Sequence, residues 1–185
     1  MCMGGDETQR VRRGSRVVIA VSCLSWVVST GCAGGENVTK ESIRAARARW
    51  DKADVRDYDL EWASSGLSRS HYVVSVRNGR VRSIESIAAD GRRHEVTSPE
   101  PKFYGVDGLF MIIADELAQL DGVAPFGKPK GTKAVLRFTP DPVLGYPRSY
   151  RRDVLGSPMA LAIDVLRFTP SPSPTRVSPA PAPSS

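Results

Sequence analysis

An Asn-Gly pair between two strand-like runs is the feature of this sequence that most constrains its fold. Asn78 and Gly79 separate two stretches rich in valine, isoleucine and tyrosine. A two-residue turn between paired strands needs positive φ at both positions, and Asn followed by Gly supplies it. The sequence therefore predicts a β-hairpin at this point. The residues expected to face each other across it are Val76 with Val81 and Val74 with Ser83.

Two segments carry the spacing of amphipathic helices. Thr39 is a suitable N-cap for a helix that runs to about Ala53, because its hydroxyl can accept a hydrogen bond from the first turn. Apolar residues recur at helical spacing in this segment and again over 106–120, where they form a broader stripe. The apolar positions are Ile43, Ala46, Trp50 and Ala53 in the first helix, and Leu109, Phe110, Ile113, Leu117 and Leu120 in the second.

Short β-rich segments complete the predicted domain. Residues 57–62 alternate polar and apolar, and further runs at 134–138, 149–155 and 161–168 suit antiparallel strands. All three cysteines lie within the first 32 residues, so the rest of the chain must be held together by its apolar core. We predict one small α+β domain over residues 39–168, in which two helices pack on one face of an antiparallel sheet.

The first 31 residues have the order of a bacterial signal peptide. A basic stretch at 10–16 precedes an uncharged apolar run at 17–28, which is shorter than the roughly 20 residues of a transmembrane helix. Small residues then lead to Cys32, which resembles the lipobox of lipoproteins, where the cysteine thiol receives a diacylglycerol and the preceding peptide bond is cut. We expect cleavage and lipidation at Cys32. The alternative is an ordinary signal peptide with a cysteine near its end.

The segments on either side of the domain differ from it in composition. Residues 32–38 contain glycine and polar side chains, which suit a short tether. Residues 169–185 are rich in proline, serine and alanine, which predicts a disordered tail. With lipid on Cys32, this organisation predicts a cell-envelope protein that is anchored to a bacterial membrane and faces away from the cytoplasm.

Four segments, taken in chain order, resemble the DUF6174 family of uncharacterised bacterial lipoproteins. They are the Trp50 helix leading to Asp57-Tyr58, the hairpin at 74–81, the helix start at 106–110 and the Asp-Pro-Val-Leu-Gly-Tyr-Pro segment at 141–147. The match spans roughly residues 43–168. Many members carry two cysteines between the first strand and the hairpin, where this chain has Ser64, Ser65, Ser68 and Ser70. The resemblance implies an α+β fold and an envelope location, and it supplies no activity.

Candidate catalytic and metal-binding residues are few. Ser68, His71 and Asp90 include the chemical groups of a catalytic triad, but triads are defined by geometry that sequence spacing does not fix. The two histidines, His71 and His94, lack the spacing of zinc ligands. The sequence contains no P-loop, dinucleotide fingerprint or nucleophile elbow. We therefore assign no catalytic residue, no metal and no cofactor.

Several arginines are candidates for contact with an anionic surface. An anchored domain would meet lipid headgroups or anionic wall polymer at high effective concentration, and guanidinium groups are attracted to both. The alternative is that these residues form only the solvated surface of a hairpin and loops. Export argues against nucleic acid as the partner. The candidate residues are Arg77, Arg80, Arg82, Arg148, Arg151 and Arg152.

Two functions remain open from the sequence. The first is a non-catalytic binding or structural module of the envelope, whose partner is an anionic polymer or an envelope protein. The second is an envelope hydrolase whose active-site residues the sequence does not identify. A cleft that joins His71 or His94 to carboxylates would favour the hydrolase, whereas a solid domain with a basic or apolar patch would favour the binding module.

Overall fold

The computed structural model describes residues 35–171, apart from Leu67, Val123 and Lys130. These described residues form one antiparallel sheet of eight strands and two α-helices, which confirms the predicted α+β class. The predictions for the signal peptide, for Cys32 and for most of the C-terminal tail lie outside the described residues. None of the helices in the described part is long and apolar enough to cross a membrane.

Apart from the short strands at 36–37 and 93–95, the helices and strands fall close to the segments that the sequence predicts. The helices are α1 (Lys40–Ala53) and α2 (Val106–Leu120). The strands are β1 (Glu36–Asn37), β2 (Tyr58–Gly66), β3 (Ser70–Arg77), β4 (Arg80–Ile87), β5 (Arg93–Glu95), β6 (Ala134–Pro140), β7 (Pro147–Val154) and β8 (Leu161–Pro170). Short 3-10 turns at Pro101–Tyr104 and Pro125–Gly127 flank α2.

The strand order in the sheet is β1-β6-β7-β8-β2-β3-β4-β5. The strand β8 lies between β7 and β2, and it pairs with β2 from Tyr58↔Pro170 to Gly66↔Leu161. The last strand of the sequence therefore joins the N-terminal set of strands to the C-terminal set. As a result, the domain has one continuous sheet.

The first helix begins where the sequence predicts. The Thr39 hydroxyl accepts a hydrogen bond from the Ser42 N–H, and the Ser42 hydroxyl accepts one from the Thr39 N–H, both at 3.0 Å. This reciprocal capping box satisfies two backbone donors that the first helical turn would otherwise leave unpaired. Ala46 and Trp50 are the buried residues of α1, in agreement with the predicted apolar face.

The predicted hairpin is present, but one part of its register is wrong. Asn78 and Gly79 form the turn with positive φ, and Val76 faces Val81 as predicted. Val74, however, faces Ile84 and not Ser83, because a β-bulge interrupts the pairing between Ser75 and Val76. The bulge inserts one extra residue, Arg82, into β4 and so shifts the partners beyond it by one position. The shift brings two apolar side chains together in the core.

The two faces of the sheet differ in composition. Both helices belong to the apolar face, where the most completely buried strand side chains include Leu60, Val74, Phe138 and Tyr150. The opposite face, called here the open face, carries polar and charged side chains that are partly exposed, because strand residues alternate between the two faces. Its members include Asp59, Glu61, His71, Ser75, Arg77, Arg151 and Asp164.

The folded domain begins before Thr39. Glu36 and Asn37, placed in the tether from sequence, pair with Phe138 and Arg137 as the edge strand β1. The next residue, Val38, is buried, and its N–H donates to the Leu136 carbonyl at 3.0 Å. The two strand residues have no apolar alternation, so their sequence gives no strand signal.

Candidate functional site

The four segments that carry the family resemblance meet at one end of the sheet. The pairing Tyr58↔Val76 places the start of β2 beside the β3–β4 turn, and Tyr58↔Pro170 places the end of β8 there too. We call this the turn end; it comprises residues 54–57, 78–79, 105–107 and 141–146. The opposite end, called the far end, comprises residues 88–92, Lys133 and 155–160.

The buried carboxylate of Asp57 holds two parts of the turn end together. Its Oδ1 accepts a hydrogen bond from the Asn78 N–H at 2.6 Å, and the Gly79 N–H donates to the Arg56 carbonyl at 2.8 Å. A buried carboxylate is costly unless it is hydrogen-bonded, so this contact fixes the position of the hairpin turn relative to the α1–β2 connection. The Asp57 carbonyl also accepts from the Ser171 N–H at 2.8 Å.

Tyr58 connects the sheet to the start of α2. Its hydroxyl accepts a hydrogen bond from the Val106 N–H at 3.1 Å, which satisfies one of the free donors of the first helical turn. Burial raises the pKa of Tyr58 to about 12, so the hydroxyl stays protonated through the neutral range. The geometry makes Tyr58 a positioning residue for the helix start.

Trp50 and Arg47 of α1 both contact the carboxylate of Asp107 in the first turn of α2. The indole Nε1 of Trp50 donates to Asp107 Oδ1 at 3.3 Å, and Arg47 Nη1 lies 2.9 Å from the same oxygen. A carboxylate in the first turn also interacts favourably with the helix dipole. The two helices are therefore joined through one side chain at the turn end.

The β6–β7 connection is packed onto α1 by an aromatic cluster. Tyr146 stacks on Phe168 with ring centroids 4.5 Å apart, and Phe168 in turn contacts Trp50 and Tyr58. Gly145 has φ of +85°, and a Cβ at this position would lie 2.3 Å from the Ala46 carbonyl oxygen. Glycine is thus required both by the backbone conformation and by the close approach of the loop to the helix.

Two small clefts adjoin at the turn end. Their volumes are about 190 and 290 Å³, and Tyr58, Gly79 and Asp107 line both. Arg56 lines the first cleft, and Arg80 and Lys102 line the second. Asp51 and Asp54 also line the first cleft. Each cleft is smaller than most pockets for drug-sized ligands, so the turn end offers a shallowly indented surface of mixed charge.

The structure divides the six arginines that the sequence singled out into three groups. Arg80, Arg82 and Arg148 are exposed near the turn end. Arg77 and Arg151 lie on the open face, where they pair with Asp59 at 2.9 Å and Asp164 at 2.7 Å. Arg152 lies on the helix-covered face, where its guanidinium binds Glu116 of α2 at 2.6 Å and stacks over the Phe126 ring. The six residues therefore do not form one patch.

His71 lies on the open face beside a carboxylate that the sequence did not single out. Its Nε2 is 2.9 Å from Glu61 Oε1, and the other oxygen of Glu61 is 2.8 Å from Arg167 Nη2. Asp90, which the sequence offered as the carboxylate of a possible Ser-His-Asp triad, pairs instead with Arg92. Glu61 and Arg167 come together with His71 only through the pairing of β2 with β3 and β8, which the sequence does not reveal.

In the part of the chain that the structure describes, no group of three or more histidine, cysteine, aspartate or glutamate side chains is placed to hold a metal ion. No family model matches the chain, and no curated protein or solved structure matches it either. The resemblance to DUF6174 therefore stays a prediction.

Proposed function

We propose that the protein is an exported lipoprotein, anchored through Cys32, whose α+β domain is a non-catalytic binding module of the cell envelope. Its binding surface is the turn end, and its partner is an anionic envelope component. The localisation rests on the order of basic, apolar and small residues before Cys32. The binding role rests on the geometry of the turn end.

One observation carries the binding role: polar side chains, two of them buried and the third exposed, fix the loops of the turn end. Asp57 holds the hairpin turn, Tyr58 holds the start of α2, and Asp107 joins the two helices. Loops held in this way form a preorganised surface, which loses little conformational entropy when it binds. The exposed Arg80 and Arg148 lie beside this surface and supply positive charge.

The second candidate function, an envelope hydrolase, has one observation in its favour. The hydrogen bond between His71 and Glu61 is the kind of contact that orients an imidazole for general-base chemistry. The second oxygen of Glu61 is already engaged by Arg167, and the group lies on the open face of the sheet. A loss of envelope hydrolase activity in His71→Ala, with unfolding stability unchanged, would favour this alternative over the binding module.

The anchor is tested by intact mass and membrane fractionation of the protein expressed in a bacterium, with Cys32→Ser as the matched variant. We expect a chain that begins at Cys32, carries a lipid-sized mass increase and sediments with membranes. The variant should lose both the added mass and the membrane retention. An unmodified, soluble wild-type product would overturn the lipoprotein assignment.

The binding surface is tested by site-specific photocrosslinking in intact cells. A photoreactive residue replaces Arg148 at the turn end or Leu155 at the far end, and both positions are exposed. We expect crosslinks to an envelope lipid, polymer or protein from position 148 and few from position 155. Crosslinking only from position 155 would contradict a binding role for the turn end.

A further inference from the structure

The described chain begins at the turn end. Gly35 lies beside Thr139, because a Cβ on Gly35 would be 2.6 Å from the Thr139 hydroxyl oxygen. Thr139 is followed by Pro140, the last residue of β6, and then by the β6–β7 connection. Cys32 is three residues before Gly35, and three residues reach at most about 11 Å. A lipid on Cys32 would therefore hold the turn end close to the membrane surface.

The far end of the sheet is beyond this reach. It is separated from Gly35 by the length of β6, whose seven residues span roughly 20 Å. Exposed side chains are present there as well, including Lys133 and Leu155. The position of Gly35, rather than charge alone, is what distinguishes the two ends.

An exposed apolar side chain forms the tip of the β6–β7 connection. Val143 is 78% exposed, the largest value among the exposed large hydrophobic side chains of the described residues. The loop is rigidly held, because Asp141 Oδ1 accepts hydrogen bonds from the N–H groups of Val143 and Leu144 at 3.0 and 2.7 Å. A fixed loop with an apolar tip is suited to insertion among lipid headgroups.

Cationic side chains lie at two places along the turn end, which β8, β2 and β3 separate in the sheet. Arg148 follows the connection, and Arg80 and Arg82 flank the hairpin turn at the same end of the sheet. Guanidinium groups bind phosphate oxygens through paired hydrogen bonds, and basic residues near an anionic leaflet strengthen membrane contact. The same end also carries carboxylates: Asp57 and Asp141 accept from backbone N–H groups, Asp51, Asp54 and Asp107 pair with arginines, and Glu36 is exposed. The contact with lipid phosphates therefore depends on the exposed arginines and not on the net charge of this end.

We infer that the turn end docks onto an anionic phospholipid surface, with Val143 among the headgroups and Arg80, Arg82 and Arg148 on lipid phosphates. This inference rests on the proposed lipid anchor at Cys32 and names the partner of the same surface. The clefts beside Tyr58 then face the membrane, and the far end faces away from it.

The test uses the processed lipoprotein, which has no free thiol of its own. Cys2 and Cys23 precede the cleavage site, and Cys32 carries the lipid, so Val143→Cys and Leu155→Cys each introduce one labelling site. The protein is labelled with a fluorophore, its lipid mass is checked, and it is reconstituted into phosphatidylcholine vesicles with or without phosphatidylglycerol. Fluorescence quenching by a lipid with a nitroxide on its headgroup reports the proximity of the label to the membrane.

We expect severalfold stronger quenching at position 143 than at position 155 in vesicles with phosphatidylglycerol. Arg80→Glu with Arg148→Glu should reduce quenching at 143, whereas Lys133→Glu at the far end should not. Equal quenching at both positions, or no response to the turn-end charge reversals, would overturn the inference while leaving the anchor intact. A purified protein without lipid on Cys32 would overturn the proposed function and this inference together.

Discussion

The two faces of the sheet carry similar ion pairs in different surroundings, and adjacent residues of β7 contribute one pair to each. Arg151 binds Asp164 on the open face at 2.7 Å, and Arg152 binds Glu116 on the helix-covered face at 2.6 Å. The side chains of the open-face pair are 43% and 41% exposed, whereas those of the covered pair are both 11% exposed. The chemistry and the distances are nearly the same, and the main difference is the access of water.

This difference sets what each pair contributes to stability. An exposed pair is screened by water, and removal of one partner leaves the other solvated. A buried pair loses much of its attraction to desolvation, but removal of one partner leaves an uncompensated charge in the interior. Tyr150 adds to the covered pair, because its hydroxyl donates to Glu116 Oε2 at 3.1 Å. Loss of a partner should therefore be far more damaging on the covered face.

The largest effect is expected for Arg152→Met. Methionine is an apolar side chain of similar length, so the substitution preserves much of the packing but leaves the Glu116 carboxylate without its cation. We expect a loss of about 3–5 kcal/mol in the free energy of unfolding, measured by urea denaturation.

The matched control is the double variant Arg152→Met with Glu116→Gln. It removes both charges and keeps an acceptor for the Tyr150 hydroxyl. We expect it to be destabilised by only about 1–2 kcal/mol. A double variant as unstable as Arg152→Met would show that packing over Phe126, and not the unpaired charge, governs the covered face.

On the covered face, the buried hydroxyl of Tyr58 should also make the folded protein less stable at alkaline pH. Burial raises its pKa to about 12 in the folded protein, whereas a tyrosine of the unfolded chain ionises near 10. The contribution of Tyr58 to the free energy of unfolding is therefore fully present below pH 10. It declines by about 2–3 kcal/mol as the pH rises towards 12. Urea unfolding between pH 9 and 12 measures this slope. Tyr58→Phe should make the slope shallower without abolishing it, because burial also raises the pKa of Tyr150. An unchanged slope in that variant would assign it to other groups.

A smaller effect is expected for Arg151→Ala on the open face. Its ion pair with Asp164 is more than two-fifths exposed on each side, so the loss of unfolding free energy should stay within about 1 kcal/mol. The same urea titration that measures Arg152→Met provides the comparison. A loss of about 3 kcal/mol or more would remove the distinction between the two faces.

The smallest effect is the response of Asp59 to acid. Its hydrogen bond from the Ser75 hydroxyl, and then its contacts with Arg77, lower its pKa below the ordinary 3.8. The stabilisation is therefore present above pH 4 and is lost as the pH falls through the folded-state pKa. We expect Asp59→Asn to show a slightly shallower decline in thermal stability below pH 4 than the wild type. A steeper decline in the variant would contradict this assignment.

The elements that the sequence predicted correctly are those specified by neighbours along the chain. The helix α1 follows from Thr39 and the spacing of Ala46 and Trp50, and the hairpin follows from Asn78 and Gly79. Capping, helical periodicity and turn chemistry act over a few residues, so one sequence is enough to read them. The alternation of polar and apolar residues that predicts the first long strand is local in the same way.

The elements that the sequence did not predict depend on contacts between distant segments. The position of β8 between β7 and β2 and the pairing of β1 with β6 are set by the whole sheet. The contact of His71 with Glu61 follows from that strand order. The burial of Arg152 did have a signal, because it lies two residues after Tyr150 and strand residues two apart share a face.

The bulge at Arg82 has a consequence for contacts between copies of the protein. The short strand β5 pairs with only the last part of β4, from Glu85 to Ile87, so among the described residues the first part of β4 has no strand partner on that side. Unpaired edges recruit strands from other molecules, and natural sheets prevent this with bulges and positive charges. Arg80 and Arg82 place charges along this strand edge, and the bulge distorts its backbone. The same residue that shifts the hairpin register thus makes this edge a poor template for aggregation.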